Sequence, residues 1–329
     1  MKQNDLNFAA KILQDWGVVA FPTETVYGLW ANIYDKQAIQ KIFTIKWRAS
    51  DNPLIVHISD ISELPNVAID IPEIAYELWK KFWPGPLTFV LKKQQNVVSE
   101  VSAGWDTIGI RVPNHPIARE LIALSWVPLA APSANLSWKP SPTSAQHVHN
   151  DLSQRVDYIV DGGEANIWVE STVIDLTVQP PVLLRPGGIS FEQLKEVLPN
   201  IEIHPHLLWQ KSEKIVKSPG MKYRHYAPET TLYLFSPEQD DIIAKIQDHH
   251  AQWKKIWIIG SKEMQYKYLW ADRFFLLWSR ENLEEVSHNL FATLRQIDIY
   301  WLDSVYCETF ETKWIWLAIM DRLKRACEK

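Results

Sequence analysis

Short apolar runs alternate with amphipathic stretches along roughly the first 190 residues, a pattern typical of an α/β domain built on a twisted sheet. Within residues 7–16, for example, Phe8, Ile12 and Trp16 fall on one helical stripe. Strands are predicted at residues 18–21, 54–58, 87–91, 108–112, 129–131, 158–160, 172–176 and 182–184. Helices are predicted at residues 36–46, 73–82, 116–124, 144–152 and 191–198.

A second α/β rhythm begins near residue 231 and spans about 100 residues, a normal size for a small domain. Its predicted strands are residues 232–235, 256–259, 274–277 and 305–308, and its predicted helices are residues 238–249, 281–297 and 314–325. The residues between the two rhythms lose periodicity and carry five basic side chains against two acidic ones. The sequence therefore predicts one domain at residues 1–198, a basic linker at 199–228 and a second domain at 229–329.

Composition and charge narrow the class of protein. The chain has 329 residues, 47% hydrophobic and 22% charged, as expected of a globular protein with two domains. Its net charge of -5 argues against a protein that mainly grips nucleic acid, although a transient RNA contact stays open. No apolar run reaches the roughly 18 residues of a membrane helix, so we expect a cytoplasmic chain without a membrane partner. Two cysteines, Cys307 and Cys327, exclude a disulfide framework and a four-thiolate zinc site.

The common sequence signatures of nucleotide binding and nucleophilic catalysis are missing. There is no G-x-x-x-x-G-K-[ST] loop, no G-x-G-x-x-G turn and no G-x-S-x-G nucleophile elbow. The pairs His147/His149 and His204/His206 have no nearby cysteine, which favours surface histidines over metal ligands. Any site must therefore be built from other polar residues.

Such residues occur at strand ends and in loops, where α/β proteins build their sites. In FPTETVYGL, residues 21–29, Thr23 and Thr25 are either strand hydroxyls that point into a cleft or part of a helix N-cap or turn. In KWRASDNPLIVH, Lys46 and Arg48 precede an Asn52 turn and a strand that ends at His57. These two cations suit a polyphosphate, or they complement the dipole at the end of a helix.

Four further segments carry polar side chains at strand ends or in loops. In TIGIRVP, Thr107 and Arg111 share one side of a strand, which indicates carboxylate or phosphate recognition, or a salt bridge at a sheet edge. APSANLSWKPSPT forms a rigid polar wall that includes Ser133 and Ser141, and the segments WVESTVIDL and LLRPGG add Ser171 and Arg185. Together these groups predict binding and positioning chemistry without a dominant catalytic base.

The same segments, in the same order, resemble the YrdC-like domain of the L-threonylcarbamoyladenylate synthase family: FPTETVYGL, K-x-R with DNPLIVH, FWPGPLT, DT-x-x-x-R-x-P, APSAN with KPSPT, VESTV and LLRPG. SPGMKYRHYAP, NLF-x-x-LR and AIMDRL resemble the longer members, which carry a C-terminal domain. The resemblance implies an α/β fold: a YrdC-like twisted mixed sheet with flanking helices, plus a small C-terminal α/β Rossmann-like domain. It also implies that the basic linker acts as a flap over the active site.

The family implies a nucleotidyltransferase that condenses L-threonine, bicarbonate and ATP, with Mg²⁺, into threonylcarbamoyl-AMP and pyrophosphate. A downstream tRNA threonylcarbamoyl transferase complex would use the product to make threonylcarbamoyladenosine. Matched residue by residue, Lys46 and Arg48 are expected to be catalytic, with Lys46 beside the phosphates. The expected threonine contacts are Thr25, His57, Arg111, Ala131 and Ser171. The expected ATP contacts are Arg48, Asn52, Thr107, Ser133, Ser141, Arg185 and Tyr223. The sequence leaves the ligands of the Mg²⁺ ion open.

Two other functions remain as alternatives. A carbamoyl-transfer maturation factor contains the same domain type, but it also carries paired C-x-x-C zinc modules that two isolated cysteines cannot build. A noncatalytic module that binds double-stranded RNA or tRNA is disfavoured by the net charge of -5. RNA binding without consumption of ATP would distinguish it from the synthase.

Tryptophan and glycine occur in unusual proportions. The chain has 17 Trp against 11 Gly, where glycine usually makes up about 7% of residues. Ten of the tryptophans occupy positions that, by the resemblance, look like glycines of the family: Trp16, Trp30, Trp47, Trp126, Trp138, Trp168, Trp278, Trp301, Trp314 and Trp316. Drift would scatter glycine among several small residues, so we expect that the source reads the codon UGA as glycine. Ten or so of the printed indoles would then be absent from the native protein.

Overall fold

The computed structural model describes residues 3–167, 169–208, 230–236, 238, 240–252, 254–280, 283–297, 300, 303–310 and 316–327. The chain divides into two compact units, one of residues 1–137 and 141–223 and one of residues 138–140 and 224–329. The predicted linker, 199–228, lies mostly outside the described residues, and the predicted domain limits stay a prediction.

The first unit is built on a large mixed sheet. Among the described residues it contains eleven strands, in the order β11-β10-β9-β5-β6-β3-β7-β2-β1-β8, with β4 paired to β5. The strands are β1 (Val19–Pro22), β2 (Tyr27–Asn32), β3 (Ile55–His57), β4 (Ala68–Ile69), β5 (Leu87–Lys93), β6 (Thr107–Arg111), β7 (Leu129–Ala131), β8 (Tyr158–Ile159), β9 (Thr172–Asp175), β10 (Val182–Arg185) and β11 (Glu202–Ile203). The sheet contains both parallel pairs, such as β3 with β6, and antiparallel pairs, such as β5 with β6, which confirms the predicted mixed sheet.

Helices flank this sheet, as predicted. They are α1 (Gln3–Gln14), α2 (Lys36–Lys46), α3 (Leu64–Val67), α4 (Glu73–Phe82), α5 (Pro116–Ser125), α6 (Ala145–Leu152) and α7 (Phe191–Lys195). Leu6 and Leu13 of α1 and Leu121 of α5 pack with Val19 and Phe21 of β1 in one core cluster. Helix α2 begins where the Asp35 carboxylate accepts a hydrogen bond from the backbone amide of Ala38, a typical N-cap.

The second unit is a smaller α/β layer with a parallel sheet. Its described strands, in the order β12-β15-β13-β14, are β12 (Leu232–Phe235), β13 (Ile256–Ser261), β14 (Arg273–Trp278) and β15 (Ser304–Glu308). Its described helices are α8 (Asp240–Ala251), α9 (Leu283–Ile297) and α10 (Trp316–Cys327). The paired strands all run parallel, which agrees with the expected Rossmann-like domain. Among the described residues of both units, no helix is long and apolar enough to cross a membrane.

The sheet also contains strands that the sequence pattern does not predict. Strand β2 lies between β7 and β1 and is buried at all six positions, so it shows none of the polar alternation that marks a half-exposed strand. Strand β11 continues the sheet into the predicted linker, because Glu202 and Ile203 pair with Val182 and Leu183 of β10. Two-residue strands such as β4 and β11 are too short to show a period.

Three of the ten suspect tryptophans have a backbone conformation that favours glycine. Among the described residues, five that are not glycine have a positive φ, and three of them are Trp16 (67°), Trp47 (51°) and Trp126 (59°). Trp47 and Trp126 are the C-caps of α2 and α5, and Trp16 follows α1. Glycine is the usual residue in a left-handed position just after a helix. All three side chains are exposed, by 57%, 55% and 85%.

The other suspect positions are more varied. Trp30 of β2 is fully buried, with its ring stacked on Phe21 at 4.2 Å. Trp138 is exposed, whereas Trp316 of α10 is buried and stacks on Phe310. Trp278 ends β14, and Trp168, Trp301 and Trp314 lie outside the described residues. Which codon stands at each position stays a prediction.

Candidate active site

The candidate site is centred on Arg111, at the end of β6 and beside His57 at the end of the parallel strand β3. Both side chains are buried. The Arg111 Nε donates to the carbonyl of Gly85 at 3.1 Å, and its Nη1 donates to the Thr25 Oγ1 at 3.0 Å. Its Nη2 forms an ion pair with the Glu24 Oε1 at 2.7 Å. The guanidinium is therefore held in one orientation by two segments of the chain, the TET turn and the loop at Gly85.

In the segment TET between β1 and β2, one threonine forms a turn and the other points its hydroxyl into the site. The Thr23 Oγ1 accepts hydrogen bonds from the amides of Thr25 and Val26, both at 3.2 Å, which is a side-chain turn. Thr25 Oγ1 instead faces Arg111 and lies 2.8 Å from Thr23 Oγ1. Thr23 thus shapes the turn, and Thr25 presents its hydroxyl to the site.

His57 is held as a neutral imidazole. Its Nδ1 donates to the carbonyl of Ile55 at 3.1 Å, because a carbonyl oxygen can only accept. Burial, and then the nearby Arg111 charge, hold the pKa of His57 well below its usual range. The ring also packs edge-on against the indole of Trp30, with ring centres 4.4 Å apart.

This low pKa predicts a loss of stability in mild acid. Below about pH 6.5 the unfolded chain binds a proton at residue 57 that the folded protein does not, so the free energy of unfolding falls as the pH falls. The slope from one such group approaches about 1.4 kcal/mol per pH unit. We expect His57→Gln to flatten the change in the free energy of unfolding between pH 7 and pH 5, measured by denaturant titration. Equal pH slopes in both proteins would contradict the neutral imidazole.

A second cluster of polar side chains links the start of β9 to the end of β10. The Arg185 Nη2 donates to the Ser171 Oγ at 3.0 Å, and its Nε donates to the carbonyl of Ser171, also at 3.0 Å. The Thr88 hydroxyl of β5 lies 2.7 Å from the same Ser171 Oγ. Gly187 lets the RPG loop approach closely, because a Cβ there would collide with the backbone of residues 170–172. Ser171 and Arg185, expected to bind different substrates, are therefore in direct contact.

The side chains of Lys46 and Arg48, at the end of α2, donate hydrogen bonds to backbone carbonyls of nearby loops. Lys46 is buried, and its Nζ donates to the carbonyl oxygens of Ser133 and Asn135. The Arg48 Nε donates to the carbonyl of Asn52 at 3.1 Å, and its Nη2 donates to the carbonyl of Pro53 at 2.9 Å. Lys46 thus fastens the APSAN loop to α2, and Arg48 braces the loop before β3.

The remaining expected site residues are spread along the sheet. Thr107 begins β6 and Arg111 ends it, so about 13 Å of strand separates two residues that share one face. Ala131 ends β7 and is buried. Ser141 is buried and donates to the Glu170 Oε1 at 2.6 Å. Tyr223 lies outside the described residues.

The sequence interpretation missed two buried carboxylates of this site and a buried histidine that neighbours one of them. Glu24 and Glu170 are both buried, at 3% and 6% exposure, in contact with the expected site residues Arg111 and Ser141. His115, just before α5, is also buried, and burial lowers its pKa against the opposing effect of Glu24. The sequence signal that could have identified Glu24 and Glu170 is a charged residue in an otherwise apolar segment. Across the described part of the chain, no group of three or more His, Cys, Asp or Glu is arranged to hold a metal ion.

Comparison with known proteins decides the family. Residues 11–187 match the family model described as "Telomere recombination", and residues 189–327 match "Threonylcarbamoyl-AMP synthase, C-terminal domain". The chain is 46% identical to the threonylcarbamoyl-AMP synthase of Pyrococcus abyssi, covering 98% of this chain and 93% of that one. The chain belongs to the threonylcarbamoyl-AMP synthase family.

Further relatives agree with this assignment. The threonylcarbamoyl-AMP synthase of Bacillus subtilis is 45% identical over 97% of this chain and 91% of its own. Among solved structures, that of P. abyssi Sua5 complexed with L-threonine superposes with a TM-score of 0.92 at 44% identity, covering 99% of this chain and 95% of that one. The resemblance found in the sequence motifs is thereby confirmed, and with it an enzyme of the nucleotidyltransferase class.

The alternative of a maturation factor gains no support. The nucleotide-bound structure of full-length HypF shares the fold at a TM-score of 0.50, but with 21% identity and over 29% of its own length. That likeness reflects the shared sheet. Within the threonylcarbamoyl-AMP synthase family, by contrast, the match extends through both units of this chain.

Proposed function

We propose that this enzyme condenses L-threonine, bicarbonate and ATP into threonylcarbamoyl-AMP and pyrophosphate. The observation that carries the proposal is the buried Arg111, held by Thr25 and Glu24 beside His57. A fixed guanidinium in a buried site suits the carboxylate of an amino acid, because it can form two parallel charge-assisted hydrogen bonds. Ala131 and Ser171 would complete the threonine pocket.

ATP would bind on the side of Ser171 that faces Arg185. In this proposal Arg48 and Arg185 offset charge on the phosphates, and Lys46 lies beside them while it fastens the APSAN loop. Asn52, Thr107, Ser133, Ser141 and Tyr223 are proposed as the further ATP contacts. The described residues offer no metal-binding cluster, so Mg²⁺ is proposed to enter as part of the substrate Mg-ATP.

The chemistry would then need positioning more than enzyme nucleophiles. The threonine amine and bicarbonate form a carbamate, whose oxygen attacks the α-phosphate of ATP, and pyrophosphate leaves. Arginines fixed by backbone carbonyls are preorganised to stabilise the charge that develops on the phosphates. The linker 199–228, proposed as a flap, would exclude water from the product.

Arg48→Ala tests the ATP side of the proposal. We expect threonine-dependent pyrophosphate release to fall by about 10²-fold or more, because a preorganised charge at the phosphates is lost. The fold should persist, because Arg48 is only half-buried and its two described bonds go to one loop. Arg119→Ala is the matched control, since Arg119 is an exposed arginine that also donates to a loop carbonyl, that of Ser59. Unchanged turnover in Arg48→Ala would refute the assignment.

The wider role is proposed with the reaction. The product would pass in the cytoplasm to a transferase complex that builds threonylcarbamoyladenosine in tRNA. Omitting threonine and bicarbonate in turn from the pyrophosphate assay tests the activity itself, because each omission should abolish release. Salt-dependent binding of double-stranded RNA or tRNA without ATP consumption would instead favour the noncatalytic module.

A further inference from the structure

The proposed reaction releases a proton that some group must accept. Threonine enters as a zwitterion, and its ammonium group must lose one proton before the nitrogen can attack bicarbonate. Carbamate formation from an ammonium ion and bicarbonate yields the carbamate, one water and one proton. An enzyme that accelerates this step needs a base close to the amine. The inference below therefore rests on the proposed function.

Glu24 has the geometry of such a base. Its side chain is 3% exposed, and its Oε1 lies 2.7 Å from the Arg111 Nη2. Its Oε2 is buried and has no hydrogen-bond partner among the residues that the structure describes. The backbone is fixed as well, because the Glu24 carbonyl accepts from the amides of Asn166 at 3.0 Å and Ile167 at 2.7 Å. A buried carboxylate oxygen without a donor is costly, which favours a ligand that supplies one.

The charges of the pair match those of the substrate. Arg111 and Glu24 form a buried pair of opposite charges, and threonine carries a carboxylate and an ammonium group on one carbon. With the carboxylate on Arg111, the ammonium group is the donor that the Glu24 oxygen lacks. Both ends of the zwitterion then meet an opposite charge, so no buried charge is left uncompensated.

We propose that Glu24 receives the threonine ammonium group and accepts the proton that it loses before carbamate formation. The proton moves from nitrogen to Glu24 Oε2, which leaves a neutral amine and a neutral carboxylic acid. The nitrogen lone pair forms the N–C bond to bicarbonate. The C–OH bond breaks, and the hydroxyl leaves as water with a second proton from nitrogen. Glu24 returns its proton to solvent before the next cycle.

The other titratable groups around Glu24 are less suited to this role. The Arg111 guanidinium carries donors and no acceptor. The His57 Nδ1 donates to the carbonyl of Ile55, and burial and the Arg111 charge hold the pKa of the ring well below its usual range, so its Nε2 is a weak base. His115 interacts with Glu24, and its Nδ1 has no hydrogen-bond partner among the described side chains and backbone. His115 is thus the competing base, and it provides a matched variant.

The test compares Glu24→Gln with His115→Gln and the wild type in both directions of the reaction. In the forward direction we expect Glu24→Gln to lower kcat for pyrophosphate release by about 10²-fold to 10³-fold, in the range of general base catalysis. Its residual rate should rise about tenfold per pH unit wherever the free amine is the minor species, whereas the wild type should depend less on pH. His115→Gln should stay within about threefold of the wild type.

The reverse reaction shows whether Glu24 acts as a base or only supports the structure of the site. Threonylcarbamoyl-AMP and pyrophosphate yield ATP and the carbamate without proton transfer from the amine. We therefore expect Glu24→Gln to make ATP at a rate within about threefold of the wild type. If Glu24→Gln does not fold, Glu24→Asp keeps the carboxylate, and it should lose about tenfold in the forward direction alone.

Several outcomes would overturn the inference. A forward kcat of Glu24→Gln near the wild-type value would do so, and so would equal losses in both directions. A forward loss in His115→Gln without one in Glu24→Gln would assign the base to His115 instead. If the wild type itself releases no pyrophosphate with threonine and bicarbonate present, the proposed function fails, and this inference fails with it.

Discussion

Arg111→Ala is expected to lower threonine-dependent pyrophosphate release by about 10³-fold or more at subsaturating threonine. Arg111 donates to Gly85 and Thr25 and pairs with Glu24, so its loss removes the proposed carboxylate partner and the contacts that link β6 to two other segments. It also leaves Glu24 as a buried charge without its counter-ion, a change that costs about 3–5 kcal/mol. Initial rates of pyrophosphate release over a range of threonine concentrations provide the measurement.

Arg111→Lys separates charge from geometry. Lysine keeps the positive charge but cannot form a bidentate pair with a carboxylate, so the rate at low threonine should lie between those of Arg111→Ala and the wild type. Threonine should also raise the melting temperature of the wild type and leave that of Arg111→Ala unchanged, because a ligand stabilises only the state that binds it. A wild-type KM for threonine in Arg111→Ala would contradict the assignment.

The combined change Trp16→Gly, Trp47→Gly and Trp126→Gly is expected to raise the free energy of unfolding by about 3 kcal/mol. Each residue has a positive φ after a helix, and a left-handed conformation costs a side-chain-bearing residue about 1–2 kcal/mol. Part of the gain at residue 47 is offset, since the guanidinium of Arg155 lies 4.1 Å from the centre of the Trp47 ring. Denaturant titration of the triple variant provides the measurement.

Trp83→Gly is the matched control for that experiment. Trp83 belongs to the family motif FWPGPLT, is buried, and donates its Nε1 to the carbonyl of Leu87 at 2.6 Å. Its loss should cost about 3–5 kcal/mol, the usual cost of removing a large buried aromatic side chain. A triple variant less stable than the starting protein would refute the conformational argument. UGG codons at Trp16, Trp47 and Trp126 would refute the recoding hypothesis independently.

Whether residue 30 is tryptophan or glycine also affects the candidate site. Its indole stacks on Phe21, packs against His57 and belongs to the same core cluster as Ala131. His57 and Ala131 are both expected threonine contacts. A glycine at residue 30 would therefore leave space beside the proposed pocket that the printed sequence fills with an aromatic ring.

Local patterns predicted much of the fold from the sequence. The amphipathic helices α2 and α4 have the predicted limits, because apolar residues at a spacing of three and four leave little ambiguity. Strand β7 was also predicted at its observed bounds. Strand β2 was missed, since Gly28 and Asn32 interrupt its apolar run and are residue types that are depleted in strands.

The site was harder to predict, because long-range pairing assembles it. Thr25 and Arg111 were each identified, but their hydrogen bond depends on the order of strands across the sheet. The sequence interpretation found no dominant base, because Glu24 is one acid between two threonines until the fold buries it beside Arg111. Similarly, no spacing rule brings Ser171 into contact with Arg185.

The strand order of the larger sheet also bears on how the protein forms on the ribosome. Strand β1 pairs with β8, and β5 pairs with β9. During synthesis these pairs cannot form until the ribosome has added more than eighty further residues. At a synthesis rate of about 5–20 residues per second, the nascent chain exposes apolar strand edges for several seconds. Such non-local pairing slows folding and leaves edges open to aggregation. Slower growth or added chaperone should therefore increase the yield of folded enzyme more than that of a helical protein of equal length.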